Sequence, residues 1–132
     1  MNDMTDLLLV EDSAVFASTL ERFLRIQRDL RVVAVAASAE AACSLLQRIA
    51  VDLVLVDVSL PGSSGIDFVG GLHRDHPDLK CLMLSGHRGA DYVQRALVAG
   101  AAGYALKSDP LGILTAIRQV LAGESYISPG LE

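Results

Sequence analysis

Leu53-Val54-Leu55-Val56-Asp57-Val58-Ser59-Leu60-Pro61-Gly62 sets four consecutive apolar residues ahead of a carboxylate and closes on a turn dipeptide. An apolar run with no polar alternation is the pattern of a strand covered on both faces. Comparable runs recur at Leu7–Val10, Val32–Ala37, Leu82–Leu84 and Tyr104–Leu106. Helical patterns fill the intervals. Ser13 is placed to cap a first helix with Phe16, Leu20, Phe23 and Leu24 on one face, and Ser38 a second with Ala42, Leu45, Leu46 and Ile49 inward. A third opens at Ser64, with Asp67 three residues on as in a capping box, and stops before Pro77. A fourth carries Val93, Ala96, Leu97 and Gly100. The fifth has Pro110 in its first position behind Asp109, a core stripe between Leu111 and Leu121, and Gly123 as its stop.

Strand and helix therefore alternate five times. Each crossover is long enough to be right-handed, which predicts an α/β fold: a doubly wound five-stranded parallel sheet with helices on both faces. The 132 residues suffice for one domain, read here as residues 1–123, with 124–132 as a tail or the start of a linker. Hydrophobic residues make up 52% of the chain, so it lies on the globular side of the disorder boundary. Eleven Lys and Arg against sixteen Asp and Glu give a net charge of −5, which argues against binding nucleic acid or anionic lipid by bulk electrostatics. Cys43 and Cys81 have apolar neighbours and form no close pair, so both are expected as buried thiols in a reducing compartment. The amino terminus lacks the basic start of a signal peptide, and the longest uncharged stretch, 96–106, is too short to span a bilayer. A cytoplasmic location without membrane contact is the expectation.

In an open α/β sheet, sites form at the carboxyl ends of the strands. Glu11 and Asp12 follow the first strand, Asp57 ends the third, Ser85 the fourth and Lys107 the fifth. Clustered carboxylates repel one another, and a divalent cation relieves that repulsion; an all-oxygen site with few protein ligands suits Mg2+. Lys107 balances part of the charge and can engage a phosphoryl group. Ser85 can hydrogen-bond a phosphoryl oxygen, and a carboxylate so placed is equipped to attack phosphorus. Taken singly, each signal has a plainer reading: a helix cap, a turn aspartate, a loop serine, a solvated lysine, a packed tyrosine at Tyr104. Four strands delivering the complementary groups to one edge outweigh those readings. His73 and His76, at i, i+3 spacing without a third ligand, read as a solvated helix end.

These residues resemble the receiver domain of two-component response regulators, over about Asp6 to Gly123. The resemblance rests on the Glu11-Asp12 pair, Asp57 in Val-Asp-Val-Ser-Leu-Pro-Gly, Ser85 in Leu-Ser-Gly-His and Lys107 in Tyr-Ala-Leu-Lys-Ser. It implies a flavodoxin-like (βα)5 sheet of strand order 2-1-3-4-5, and an Asp57 that takes phosphate from the phosphohistidine of a sensor histidine kinase. It further implies magnesium on Asp12, Asp57 and the Ser59 carbonyl, with Glu11 acting through water. Ser85 and Tyr104 are the implied switch pair, the hydroxyl moving to the phosphoryl group as the ring turns inward. Ser59 and His87 take the variable positions that flank that group and tune its lifetime. Such a domain catalyses only its own phosphorylation and dephosphorylation and is not a conventional enzyme. Ser108 stands where many relatives have proline, so a cis bond after Lys107 does not follow.

The ending Ile117-Arg118-Gln119-Val120-Leu121-Ala122-Gly123-Glu124-Ser125-Tyr126 is similar to the NarL/FixJ group. Members of that group usually continue into a helix-turn-helix DNA-binding domain, so DNA contact is expected only through an output domain outside this stretch. A homodimer through the fourth helix, fifth strand and fifth helix is implied as well. A dinucleotide-binding domain is excluded because no glycine follows the first strand, and a P-loop is missing. A haloacid-dehalogenase-like phosphatase is excluded because Ser59 stands where a second aspartate is needed. The competing reading left open is a receiver-shaped interaction module that acts without phosphorylation.

Overall fold

The computed structural model describes residues 4–62 and 64–131. In chain order the elements are β1 (Thr5–Val10), α1 (Ala14–Arg25), β2 (Leu30–Ala36), α2 (Ala39–Leu46), β3 (Leu53–Asp57) and α3 (Gly65–Asp75). There follow β4 (Lys80–Ser85), α4 (Ala90–Ala99), β5 (Gly103–Leu106), α5 (Pro110–Leu121) and β6 (Tyr126–Ile127). The strands form one parallel sheet in the order β2-β1-β3-β4-β5-β6, so the expected 2-1-3-4-5 order holds and a short sixth strand extends it.

Alternation along each strand divides the core into two layers. Leu8, Val10, Val54, Val56, Met83 and Tyr104 face a layer built on Ala42, Phe68, Val69, Leu72, Val93 and Ala96 from α2, α3 and α4. Leu7, Leu9, Leu53, Leu55, Leu82 and Leu84 face the other, against Ala17, Leu20 and Leu24 of α1 and Ile113, Ile117 and Val120 of α5. Because β3 is covered on both sides, Leu53 through Val56 are all 0% exposed. That is why the run carries no polar residue.

β2 departs from this pattern. It is an edge strand whose burial alternates, with Val33 36% and Val35 47% exposed. Leu7 pairs with Val32 and Leu8 with Ala34, so Val33 is the extra residue of a β-bulge. In α5 the buried residues begin at Gly112 and Ile113, and Leu111 points outward at 70% exposure. Ile49 lies beyond the end of α2, in which Ala42 alone is fully buried. Side chains cap four helices as expected, Ser13, Ser38, Ser64 and Asp109 each accepting a first-turn N–H. The Lys107–Ser108 bond is trans.

Residues 124–131, expected as a tail, lie against the domain. Tyr126 and Ile127 pair with Gly103 and Tyr104, the Ser128 N–H donates to the Tyr104 carbonyl at 3.0 Å, and Leu131 is buried in the α4-side layer. Among the described residues no helix is long and apolar enough to cross a membrane.

The expectation of two buried thiols is half corrected. Cys81 is buried in β4, and desolvation pushes its pKa up to about 12. Cys43 is exposed, because it follows the inward-facing Ala42 by one helical step of about 100° and so lies on the outer side of α2. Iodoacetamide should therefore add one group to the native chain, at Cys43, and a second only in denaturant, as read by intact mass. Equal labelling of both cysteines in the native state would contradict this packing.

Candidate functional site

The sheet ladder brings the site residues to one level. Each of three strands continues its pairing one step past its last element residue: the Glu11 N–H donates to Ala36 O (2.8 Å), Val58 to Leu84 O (3.0 Å) and Lys107 to Ser85 O (2.9 Å). Parallel register then places Glu11, Asp57, Ser85 and Lys107 side by side at the carboxyl edge. The layer packing buries three of them. Glu11 is 2%, Asp57 4% and Ser85 1% exposed.

Charge pairing makes this burial tolerable. The Lys107 Nζ lies 2.7 Å from Glu11 Oε1 and 3.2 Å from Asp57 Oδ2. Burial disfavours the ammonium, yet Glu11 and Asp57 outweigh it and hold the lysine pKa above its ordinary value. It is therefore charged throughout the neutral range. Glu11 is shifted in the same direction, which for a carboxyl favours the neutral form. Burial raises its carboxyl pKa and the Asp57 carboxylate adds to the rise, against the pull of Lys107 and the Ser13 N–H on Oε2 (3.0 Å). Lys107 also lies over the Phe16 ring, 4.8 Å from its centroid, so an aromatic face of α1 closes the remaining side of the ammonium.

The Asp57 carboxylate is held at both oxygens. Oδ1 accepts the Ser59 N–H at 3.0 Å, and Oδ2 faces Lys107. Its main chain is fixed by Gly65, the first residue of α3. Gly65 donates to Val58 O at 2.9 Å, and a Cβ at this position would collide with the Asp57 carbonyl oxygen. Only glycine permits that approach of helix to strand end. The segment Pro61-Gly62-Ser63-Ser64-Gly65 reads in sequence as ordinary turn chemistry, so Gly65 gave no site signal there.

Ser85 and Tyr104 meet on the opposite side of Asp57. Tyr104 is fully buried, and its hydroxyl donates to the His87 carbonyl at 3.1 Å. Burial raises the phenol pKa, partly opposed by a hydrogen bond with the Ser85 hydroxyl. The ring is thus already turned inward in the unmodified chain. Ser85 Oγ accepts the His87 N–H at 2.8 Å, and the His87 ring reaches Ser59 Oγ at 3.2 Å. His73 and His76, as expected, are exposed at the end of α3.

Carboxylate oxygens of Glu11, Asp12 and Asp57 all lie within 4.8 Å of one another, with Asp12 exposed at the mouth. Glu11 Oε1 is fully buried, and the close approach of Lys107 is not aligned with it as a hydrogen bond. A hard, all-oxygen donor set with one under-satisfied buried oxygen fits a divalent cation.

Known proteins are similar to this chain in sequence and in fold. The transcriptional regulatory protein DegU of Brevibacillus brevis is 32% identical over 124 residues, which cover 93% of this chain and 52% of that protein. The response regulator UvrY of Escherichia coli strain K12 is 34% identical over 126 residues, 95% of this chain and 58% of that one. The chain thus spans little more than half the length of the curated relatives it matches. A crystal structure of a LuxR-family two-component response regulator from Aurantimonas sp. SI85-9A1 superposes with a TM-score of 0.93 at 31% identity, covering 97% of this chain and 92% of that one. The family model for the response regulator receiver domain matches residues 7–118, from the first core leucine of β1 to the last turn of α5. With that match and these relatives, the chain belongs to the receiver-domain family of two-component response regulators.

Proposed function

We propose that Asp57 accepts a phosphoryl group from the phosphohistidine of a sensor histidine kinase and that the acyl phosphate biases the β4–α4–β5 side of the domain. The observation that carries this reading is a buried carboxylate held by the Ser59 amide on one oxygen and the Lys107 ammonium on the other. In the transfer an Asp57 oxygen forms a bond to phosphorus as the bond from phosphorus to the donor imidazole nitrogen breaks, and the departing imidazole takes up a proton. Hydrolysis later returns inorganic phosphate and the carboxylate, so the domain acts on itself and turns over no separate substrate.

Mg2+ would be held by Asp12, Asp57 and the Ser59 carbonyl, with Glu11 outside them, and would supply charge neutralisation for the phosphoryl oxygens. Lys107 moves with the negative charge: its ammonium, now shared between Glu11 and Asp57, can turn to a phosphoryl oxygen without leaving its place over Phe16. The Ser85 hydroxyl is the neutral donor on the far side. A cytoplasmic setting and transcriptional output through a DNA-binding part outside this stretch complete the reading; one relative is named a transcriptional regulatory protein. A homodimer on the α4–β5–α5 face would meet β6, since Tyr126 and Ile127 occupy the edge of β5.

Acetyl phosphate with magnesium should increase the intact mass by one phosphoryl group, and neither Asp57→Asn nor chelation by EDTA should leave that increase. A modification that persists in Asp57→Asn would sink the acceptor assignment. Lys107→Ala should still be modified, at a rate lower by about 100-fold as for loss of one preorganised charge-stabilising donor; a normal rate would remove Lys107 from the chemistry. Gly65→Ala should lower unfolding stability by roughly 1–3 kcal/mol through overpacking and slow modification of Asp57, read by thermal melts and by the same mass assay. An unchanged melt would show that α3 does not press on the acceptor strand.

A further inference from the structure

His87 is an exposed residue with four fixed contacts. Its N–H donates to Ser85 Oγ (2.8 Å), its carbonyl accepts from Tyr104 Oη (3.1 Å), and its Nε2 lies 3.2 Å from Ser59 Oγ. Its ring stacks on Tyr92, with centroids 4.4 Å apart and planes 13° from parallel. The contacts therefore come from the acceptor loop, from both members of the Ser85–Tyr104 pair and from the first turn of α4.

The surroundings of His87 provide few other supports. Gly86 precedes it and Gly89 follows Arg88 in the β4–α4 loop, and neither glycine contributes a side chain. Gly89 is the N-cap of α4, so this helix lacks the side-chain cap that Ser13, Ser38, Ser64 and Asp109 provide to the other four. The Tyr92 and Val93 N–H groups donate to the Gly89 carbonyl (3.1 and 3.4 Å), but no side chain caps the turn, and it is the less firmly placed for it. The Tyr92 stack on His87 is a side-chain contact that ties this turn to the site. A stacked pair of this kind adds a packing contact at the turn where the side-chain cap is missing.

We propose that His87 is a positioning residue that joins the acceptor loop to the amino-terminal turn of α4, so that Ser59 beside Asp57 and Tyr92 on α4 are placed by one side chain. The linkage itself needs no phosphoryl group; its use in signalling rests on the acceptor reading of Asp57. When the Ser85 hydroxyl turns toward a phosphoryl group it gives up the His87 N–H, and any displacement of Ser59 pulls on the His87 ring. Both changes reach α4 through the Tyr92 stack. Shared physical contacts, rather than proximity, make the coupling.

The linkage is tested by amide NMR on the unmodified chain. Ser59→Ala should move the first-turn signals of α4, Ala90 to Val93, when His87 is present. In His87→Ala it should produce no further movement there, a non-additive result of the kind that marks coupled residues. His87→Phe keeps the stack without the Ser59 hydrogen bond, and His87→Gln keeps a donor without the stack. Each should also silence the response, which a merely structural role for the loop would not require. If Ser59→Ala moves the α4 signals equally with and without His87, or moves none of them in the wild-type chain, the proposal fails. Beryllofluoride with magnesium separates the two readings. An adduct on Asp57 in His87→Ala with α4 signals unmoved supports the linkage, and α4 moving as in wild type overturns it. No adduct in the wild-type chain counts against the acceptor reading, and the Ser59→Ala comparison still decides the linkage.

Discussion

The contact on which the arrangement depends is the one between Lys107 and the two buried carboxylates of Glu11 and Asp57. A doubly covered sheet has apolar interior on both faces, so ionised groups are confined to the strand ends, and buried ones need their charge matched there. Three acidic residues converge on that edge and one ammonium stands among them. The balance is deliberately short of neutral. One lysine cannot satisfy three carboxylates, and the remaining negative charge leaves an acidic cluster that could hold a metal ion. Neither carboxylate holds Lys107 exclusively. Its position over Phe16 limits where it can go without fixing which acceptor it turns toward.

Much of this was legible in the order of residues because the physical requirements are local. A strand buried on both faces must be an unbroken apolar run, and Leu53–Val56 shows it directly. The groups that follow such a run must lie at the sheet edge, which is how Glu11, Asp57, Ser85 and Lys107 were found. What escaped depends on phase or on neighbours distant in sequence. Cys43 sits among apolar residues in the chain but one step off the buried face of α2. The Val33 bulge exists only in the pairing of β2 with Leu7 and Leu8. Gly65 matters through its clash with the Asp57 carbonyl, a contact that no spacing rule reveals. The Phe16 ring read as core, although it is half-buried and faces the ammonium.

The buried Tyr104 ring bears on how the domain switches. The Tyr104 ring is inward here, so under the proposed phosphorylation its inward rotation would not be part of the change. What is left to change is the hydrogen-bond set around it: Ser85 Oγ holds the His87 N–H, and Tyr104 Oη holds the His87 carbonyl. A two-state element needs contacts that differ between its states. Under the proposed switching, the contacts free to differ lie in the β4–α4 loop beside the uncapped start of α4 rather than in the rotamer of Tyr104.

The opposite edge of β5 constrains the same element from outside. A parallel edge strand presents unpaired backbone groups that must find partners. Here β6 takes the Gly103 and Tyr104 positions, and the Ser128 hydroxyl accepts the Leu106 N–H at 3.1 Å inside a buried setting. Leu131 then returns to the layer that contains Val93, Ala96 and Tyr104. Tyr104 is therefore gripped on three sides: by the His87 loop at its hydroxyl, by α4 across its ring and by the 126–131 segment along its backbone. A displacement of the loop that disturbs the first two grips must load the third. The 126–131 segment thus adjoins the site through β5 itself, by a strand pairing that a composition of glycine, serine and proline does not disclose.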